Sequence, residues 1–268
     1  LLSPMSDRQF DEVERLIQAS PIKSDECPTC GAKPVEVAPG ITEWGPSTYH
    51  YLDEDHPCDC KEQKALFRHY LLARIPQEYM NLGLENYVGD PAALKATQTY
   101  LEKWTNFRKH GMGLGFYSKN QGTGKTFLAC YLARELVKRG ESVYYVYFRN
   151  IVGIFELPYE ARKDEENRLR DCTVLILDEV ARPISEAQRV LFAEKFEELI
   201  RYRSNYNKVT ILTTNLTPKE LDTIYPRTYS LLAAKEQSIE VAGNDVRKEG
   251  IWSVNRELAE NAESRPLS

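Results

Sequence analysis

A chain of 268 residues, 42% hydrophobic and 28% charged, can bury a sizeable core and hold one main domain with a smaller module beside it. Its formal net charge of −5 excludes whole-molecule attraction to nucleic acid, so any DNA contact requires a local basic surface. No apolar stretch approaches the ~20 residues of a membrane span and no basic-then-apolar leader opens the chain, so a soluble, cytoplasmic protein without a membrane partner is expected.

In chain order, Ser6 opens an amphipathic segment with Phe10, Val13, Leu16 and Ile17, which predicts a helix ending near Ser20-Pro21. Four of the six cysteines then fall in two close-set pairs, Cys27-Pro28-Thr29-Cys30 and Cys58-Asp59-Cys60. Two such pairs separated by a loop suit tetrahedral Zn²⁺, and a reducing cytosol disfavours disulfides between them. His50 and His56 are near enough in sequence to replace one thiolate, but in a loop-rich segment both also read as ordinary surface residues. This zinc-binding module spans about 25–61. A helix over 61–73 follows and is broken by Arg74-Ile75-Pro76, since proline removes a backbone donor. A connecting stretch through Leu84-Glu85-Asn86-Tyr87 leads to a helix over 91–110 and then to the apolar run Met112 to Tyr117.

Directly after that run comes Gly122-Thr123-Gly124-Lys125-Thr126, followed by Phe127 and an apolar-periodic helix to Val137. Strand, glycine loop and helix in succession form a phosphate-binding loop. Backbone N–H groups and the helix N-terminus surround a polyphosphate, Lys125 reaches the β/γ oxygens and the Thr126 hydroxyl ligates Mg²⁺. The full pattern has glycine where this chain has Lys119. Further on come a strand over 143–148, a helical segment over 151–169 and the run Thr173 to Glu179, an apolar strand ending in two carboxylates. Asp178 is placed to hold hydrated Mg²⁺ and Glu179 to orient and deprotonate water. A helix over 185–203 precedes the strand Val209 to Thr214, which ends on Asn215, a residue suited to the γ-phosphate or its water and equally to an Asx turn before Thr217-Pro218. Cys130 and Cys172 read as small buried thiols. The tail from Arg256 is polar and is expected to fray. Strands alternating with helices around a phosphate loop predict an α/β fold, a parallel sheet covered on both faces.

The runs Ala73-Arg74-Ile75-Pro76 and Leu84-Glu85-Asn86-Tyr87, the Gly122 to Thr126 loop, Leu177-Asp178-Glu179 and Thr213-Thr214-Asn215-Leu216 resemble the DnaC/DnaI-type replicative helicase loaders of the AAA+ superfamily. IstB-type transposition ATPases share most of these motifs. The resemblance covers roughly 73–247 and implies three parts: an N-terminal helix and zinc module (1–72) that holds the helicase, an AAA+ ATPase domain (73–255) and a polar tail (256–268). It implies ATP, Mg²⁺ and Zn²⁺ as cofactors, with Gly122, Thr123, Gly124, Lys125, Thr126, Phe127 and Asp178 around the nucleotide. It further implies that Arg227, in Tyr225-Pro226-Arg227-Thr228-Tyr229, enters a neighbouring subunit's site, and that Arg247, in Gly243-Asn244-Asp245-Val246-Arg247, contacts its own subunit's nucleotide. Either arginine could instead make a surface ion pair.

The function these features imply is ATP-dependent loading of a DnaB-like hexameric helicase onto single-stranded DNA, with the segment after Phe148-Arg149 and Arg162-Lys163 as a DNA contact surface. Asp164, Glu165 and Glu166 follow at once, so a solvated charged face is the alternative there. Two other functions fit the same motifs: a transposition ATPase acting on duplex DNA, and a zinc adaptor that binds nucleotide with little hydrolysis. The Asp178-Glu179 pair argues against the adaptor, because a pure binder needs no water-activating carboxylate.

Overall fold

The structure, a computed structural model, describes residues 9, 13, 36–38, 41–42, 60–80, 82–183 and 186–246. Two short strands, β1 (Glu36–Ala38) and β2 (Ile41–Thr42), pair antiparallel. The main sheet is built from β3 (Gly113–Tyr117), β4 (Val143–Tyr147), β5 (Val174–Val180), β6 (Val209–Thr214) and β7 (Glu236–Glu240). Its order is β4-β5-β6-β3-β7, and every pairing is parallel. Parallel strands need crossovers, and these are helices: α4 (Lys125–Lys138), α5 (Asn150–Glu156), α6 (Tyr159–Asp171), α7 (Glu186–Asn205), α8 (Pro218–Ile224) and α9 (Pro226–Lys235). Upstream lie α1 (Cys60–Leu72), α2 (Pro91–Glu102) and α3 (Trp104–His110).

Because strand side chains alternate between faces, one strand feeds two cores. Val143, Tyr145, Val174 and Ile176 join Leu128, Leu132 and Tyr70 on one face, with α1, α2 and α4. Tyr144, Val146, Leu175 and Leu177 join Phe196, Ile200 and Leu232 on the other, with α7 and α9. Each such apolar side chain taken fully out of water contributes about 1.5–3 kcal/mol. Both faces of β5 are covered, which explains its unbroken apolar sequence.

Two expected helices are each two helices. The span 91–110 is interrupted at Lys103 (φ −98°, ψ 13°), where the chain turns to bury Trp104 against Tyr100 and to let its indole N–H donate to Glu141 at 2.9 Å. The span 151–169 breaks at Leu157-Pro158: proline forces its predecessor into extended backbone (Leu157 ψ 152°) and then sets the start of α6. The elements α8, α9 and β7 lie beyond the expected set, as do the short strands β1 and β2. β7 buries Ile239 but is otherwise polar, as befits an edge strand, so it has no apolar alternation to detect. Of the predicted N-terminal helix, Gln9 and Val13 are helical and Val13 is buried in the first core; the rest falls outside the described residues. Among the described residues, no helix is long and apolar enough to cross a membrane.

Candidate active site

The loop joining β3 to α4 turns on two glycines, Gly122 (φ 67°) and Gly124 (φ 92°), in the left-handed region that a side chain would strain. Lys119 is not among the residues with positive φ, so the missing first glycine imposes no backbone strain. Tyr87, from the stretch before α2, packs its ring over Gly124 so closely that a Cβ there would stand 2.7 Å from Cε2. The N-terminus of the 14-residue helix α4 faces the loop and offers its dipole and unpaired N–H groups to an anion. Lys125 is 8% exposed and folds over its own loop, its ammonium donating to Asn120 O at 3.0 Å and to Thr123 Oγ1 at 3.3 Å.

At the tip of β5 a bulge separates the two carboxylates. Leu177 pairs with Leu212 but Val180 pairs with Thr214, so β5 carries one residue more than β6 across this step. Glu179 adopts φ 58° there, its N–H donating to Thr213 Oγ1 at 3.0 Å. Such bulges re-aim side chains. Asp178 is consequently 1% exposed while Glu179 opens to solvent.

Three hydroxyls donate to the Asp178 carboxylate: Thr213 Oγ1 to Oδ1 at 2.5 Å, Tyr145 Oη to Oδ2 at 2.5 Å and Thr126 Oγ1 to Oδ1 at 3.0 Å. Burial raises the Asp178 carboxyl above its ordinary value, and the hydroxyls from Thr213, Tyr145 and Thr126 pull the other way. Burial also pushes the Tyr145 phenol far above its usual range, reinforced by nearby Asp178. The Thr126 hydroxyl and Asp178 carboxylate are hard oxygen donors on one side of the loop, a donor set that fits Mg²⁺.

These elements border a cleft of about 450 Å³. Gly122, Thr123, Gly124, Lys125, Thr126, Phe127, Glu179 and Asn215 all line it, and Asp178 lies directly behind Thr126 and Thr213. Asn215 is exposed at the end of β6. The turn that follows is instead capped by Thr217 and Glu220, whose side chains each bind the other's backbone N–H. Tyr79 and Phe127, edge to face at 6.4 Å, give the cleft an aromatic wall. The chain after β7 also returns to the loop: Val246 N–H donates to Gly122 O at 3.1 Å and Asn120 Nδ2 to Gly243 O at 3.0 Å.

Other predicted residues lie elsewhere. Arg227 is outside the cleft, near the start of α9, 82% exposed and 3.7 Å from Glu197 Oε2. Arg247, Cys27, Cys30 and Cys58 fall outside the described residues, as do His50 and His56; Cys60 begins α1. Among the described residues no group of three or more His, Cys, Asp or Glu could hold a metal. The segment expected to touch DNA is divided. Phe148 is core, packed against Phe192, Phe196 and Tyr225. Arg149 binds Glu179 at 2.6 Å and Arg162 pairs with Glu166 at 3.2 Å.

Tyr145 and Tyr79 are site residues absent from the sequence expectations, in which Thr213 appeared only within a family motif and Arg149 only beside a DNA contact surface. For Tyr145 and Thr213 the available signal was a polar hydroxyl inside an apolar strand run, where a buried hydroxyl needs an acceptor; Tyr79 and Arg149 lie outside the strands. The meeting of Tyr145 and Thr213 with Asp178 depends on the β4-β5-β6 pairing, which the sequence does not state.

Residues 117–234 match the IstB-like ATP binding protein family. The replicative helicase loader DnaC of Buchnera aphidicola subsp. Acyrthosiphon pisum (strain APS) is 25% identical over 176 residues, 61% of this chain and 68% of that protein. Among solved structures, DnaI superposes with a TM-score of 0.52 at 22% identity, covering 62% of this chain and 94% of DnaI. The DnaC helicase loader gives 0.50 at 23% identity, covering 61% of this chain and 98% of its own. The two structures share this fold.

Proposed function

We infer that this chain, which resembles the DnaC-type AAA+ helicase loaders, is an ATPase that engages a DnaB-like hexameric helicase and single-stranded DNA during replication initiation. The observation that carries the enzymatic half is the approach of the Thr126 hydroxyl to the Asp178 carboxylate at 3.0 Å beneath a phosphate loop, with Glu179 and Asn215 lining the same cleft. A sheet that merely folds has no use for a buried carboxylate at that point, because burying one is unfavourable unless it is paired or binds a cation.

In the proposed reaction the loop N–H groups and the α4 N-terminus hold the β and γ phosphates. Lys125 exchanges its contacts with Asn120 and Thr123 for phosphate oxygens. Glu179 accepts a proton from the attacking water and Asn215 orients it in line with the γ-phosphorus. Mg²⁺, held through Thr126 and Asp178, would neutralise charge on the β/γ oxygens. Arg227 supplies its guanidinium to the neighbouring protomer's γ-phosphate, a role supported by its 82% exposure away from its own cleft. Arg247 serves its own protomer, a role supported by the bond from the preceding residue, Val246, to Gly122. Zn²⁺ on Cys27, Cys30, Cys58 and Cys60 would fold the N-terminal module (1–72) that grips the helicase, leaving 73–255 as the motor.

A second function, transposition on duplex DNA, is favoured by the match of residues 117–234 to the IstB-like family. One experiment separates them. The protein is mixed with ATP and a DnaB-type hexamer, then with single-stranded or duplex DNA, and the complexes are sized. A loader co-elutes with the hexamer and transfers it to single strands; ATP-dependent coating of duplex DNA without hexamer binding would establish the transposition function instead.

A further inference from the structure

We propose that Tyr145 is a positioning residue for the cation-binding carboxylate, fixing the orientation of Asp178 from the strand that flanks β5 on the side away from Thr213. The proposal rests on the magnesium-dependent nucleotide site described above and assigns the origin of its geometry.

β5 lies between β4 and β6 in the sheet, and each neighbour sends one hydroxyl to the carboxylate at its tip. From β6, Thr213 takes Oδ1 at 2.5 Å; from β4, Tyr145 takes Oδ2 at 2.5 Å. One donor on each oxygen, from strands on opposite sides, sets the plane of the carboxylate. An ionised carboxylate offers about four lone-pair sites. With one on each oxygen used by the flanking strands, the remaining pair faces Thr126, whose hydroxyl stands 3.0 Å from Oδ1 and 3.4 Å from Oδ2. That is the side on which a cation joins the phosphate loop.

Tyr145 is itself firmly held. Its Cα pairs with Ile176 across the β4-β5 ladder, its N–H donates to Ala73 O at 2.8 Å, and its ring lies edge-on to Tyr147 at 5.3 Å. At 3% exposure it cannot reach solvent or substrate, and it does not line the cleft. It therefore acts through Asp178. Removing the phenol oxygen would leave Oδ2 with only the long 3.4 Å contact to Thr126 Oγ1 and free the carboxylate to turn. Groups that orient metal ligands in this way commonly contribute about 10–100-fold to metal affinity.

The test is Tyr145→Phe, which keeps the ring. Binding of a fluorescent ATP analogue is titrated in EDTA and then with increasing Mg²⁺, and hydrolysis is followed in parallel. The expected variant matches wild type in EDTA, needs about tenfold more Mg²⁺ for half-maximal tightening of nucleotide, and approaches wild-type turnover at saturating Mg²⁺. Coincident Mg²⁺ titrations would overturn the assignment. So would equal loss of affinity in EDTA, which marks a role in core packing alone. Wild-type protein that binds nucleotide with Mg²⁺ but hydrolyses none would overturn the ATPase function while the binding titration still decides the role of Tyr145.

Discussion

Arg149, two residues beyond the end of β4, places its guanidinium 2.6 Å from the carboxylate of Glu179, which itself sits on a bulge with φ 58°. The side chain proposed to activate water is thus engaged by a cation on the cleft wall. The two side chains are 71% and 53% exposed, and exposed pairs of this kind contribute at most about 1 kcal/mol. The restraint is therefore weak and easily exchanged for a contact to water or nucleotide. Arg149→Ala is expected to raise unstimulated hydrolysis by up to about fivefold, the rate equivalent of that energy, and to lower the melting temperature by no more than about 2–4 °C. A steady-state assay with a parallel melt checks both.

Lys125 and Glu179 are expected to fail differently. Lys125→Ala removes the charge that matches the phosphates and should weaken nucleotide binding itself. Glu179→Gln keeps the shape but cannot take a proton, so it should bind ATP normally and hydrolyse it about 10²-fold or more slowly. Binding by fluorescence and turnover by phosphate release separate the two; equal turnover by wild type and Glu179→Gln removes Glu179 from the chemistry.

The trans role of Arg227 predicts complementation. Arg227→Ala should bind ATP as wild type does yet lose DNA-stimulated hydrolysis, and mixing it with Lys125→Ala should restore part of the activity, since one protomer brings an intact pocket and the other an intact arginine. If the mixture stays inactive while both variants co-assemble, Arg201, exposed beside Glu197 on α7, is the next candidate. Arg203 is not: it is fully buried and donates to the carbonyls of Leu169, Cys172 and Val209.

The four N-terminal cysteines predict close to one zinc per chain by elemental analysis. Cys58→Ser should lose the metal and unfold the N-terminal module while leaving nucleotide affinity intact, because the phosphate loop lies on separate elements. Metal-free protein with a folded N-terminal module would rule the zinc site out.

Glu236 predicts a pH-dependent stability. Burial raises its carboxyl from 4.5 to about 8. Gly115 leaves the space the carboxyl occupies, and Oε2 has no hydrogen-bond partner. Nearby Lys235 is engaged by His110 O and Asn207, and Lys208 by Asp171 O. A raised carboxyl keeps its proton in the folded state while the unfolded chain releases it, so its contribution is full below the unfolded value and declines as pH rises toward the folded one. Each unit corresponds to about 1.4 kcal/mol. Glu236→Gln cannot ionise, so its melting temperature relative to wild type should climb between about pH 5 and about pH 8. A constant difference across that range would contradict the assignment.

The sequence by itself determined the parts whose signal is local. A glycine loop between an apolar run and a periodic helix places Lys125 and Thr126, because a phosphate loop is made by consecutive residues. The apolar run ending in Asp178-Glu179 reads as a buried parallel strand for the same reason: both of its faces are covered. The break at Pro158 had a local signal in the proline itself, whereas the break at Lys103 and the polar edge strand β7 were less legible, since their signals depend on what Trp104 and Ile239 pack against. What tertiary structure alone decided is how the two acids divide. Adjacent in sequence, they are separated by a bulge whose existence depends on the register of β5 against β6. One carboxylate is turned inward to hydroxyls from Tyr145 and Thr213, and the other outward to Arg149. Pairing between strands 30 or more residues apart carries no local signature, so the partners of Asp178 became visible only once the sheet had brought them together.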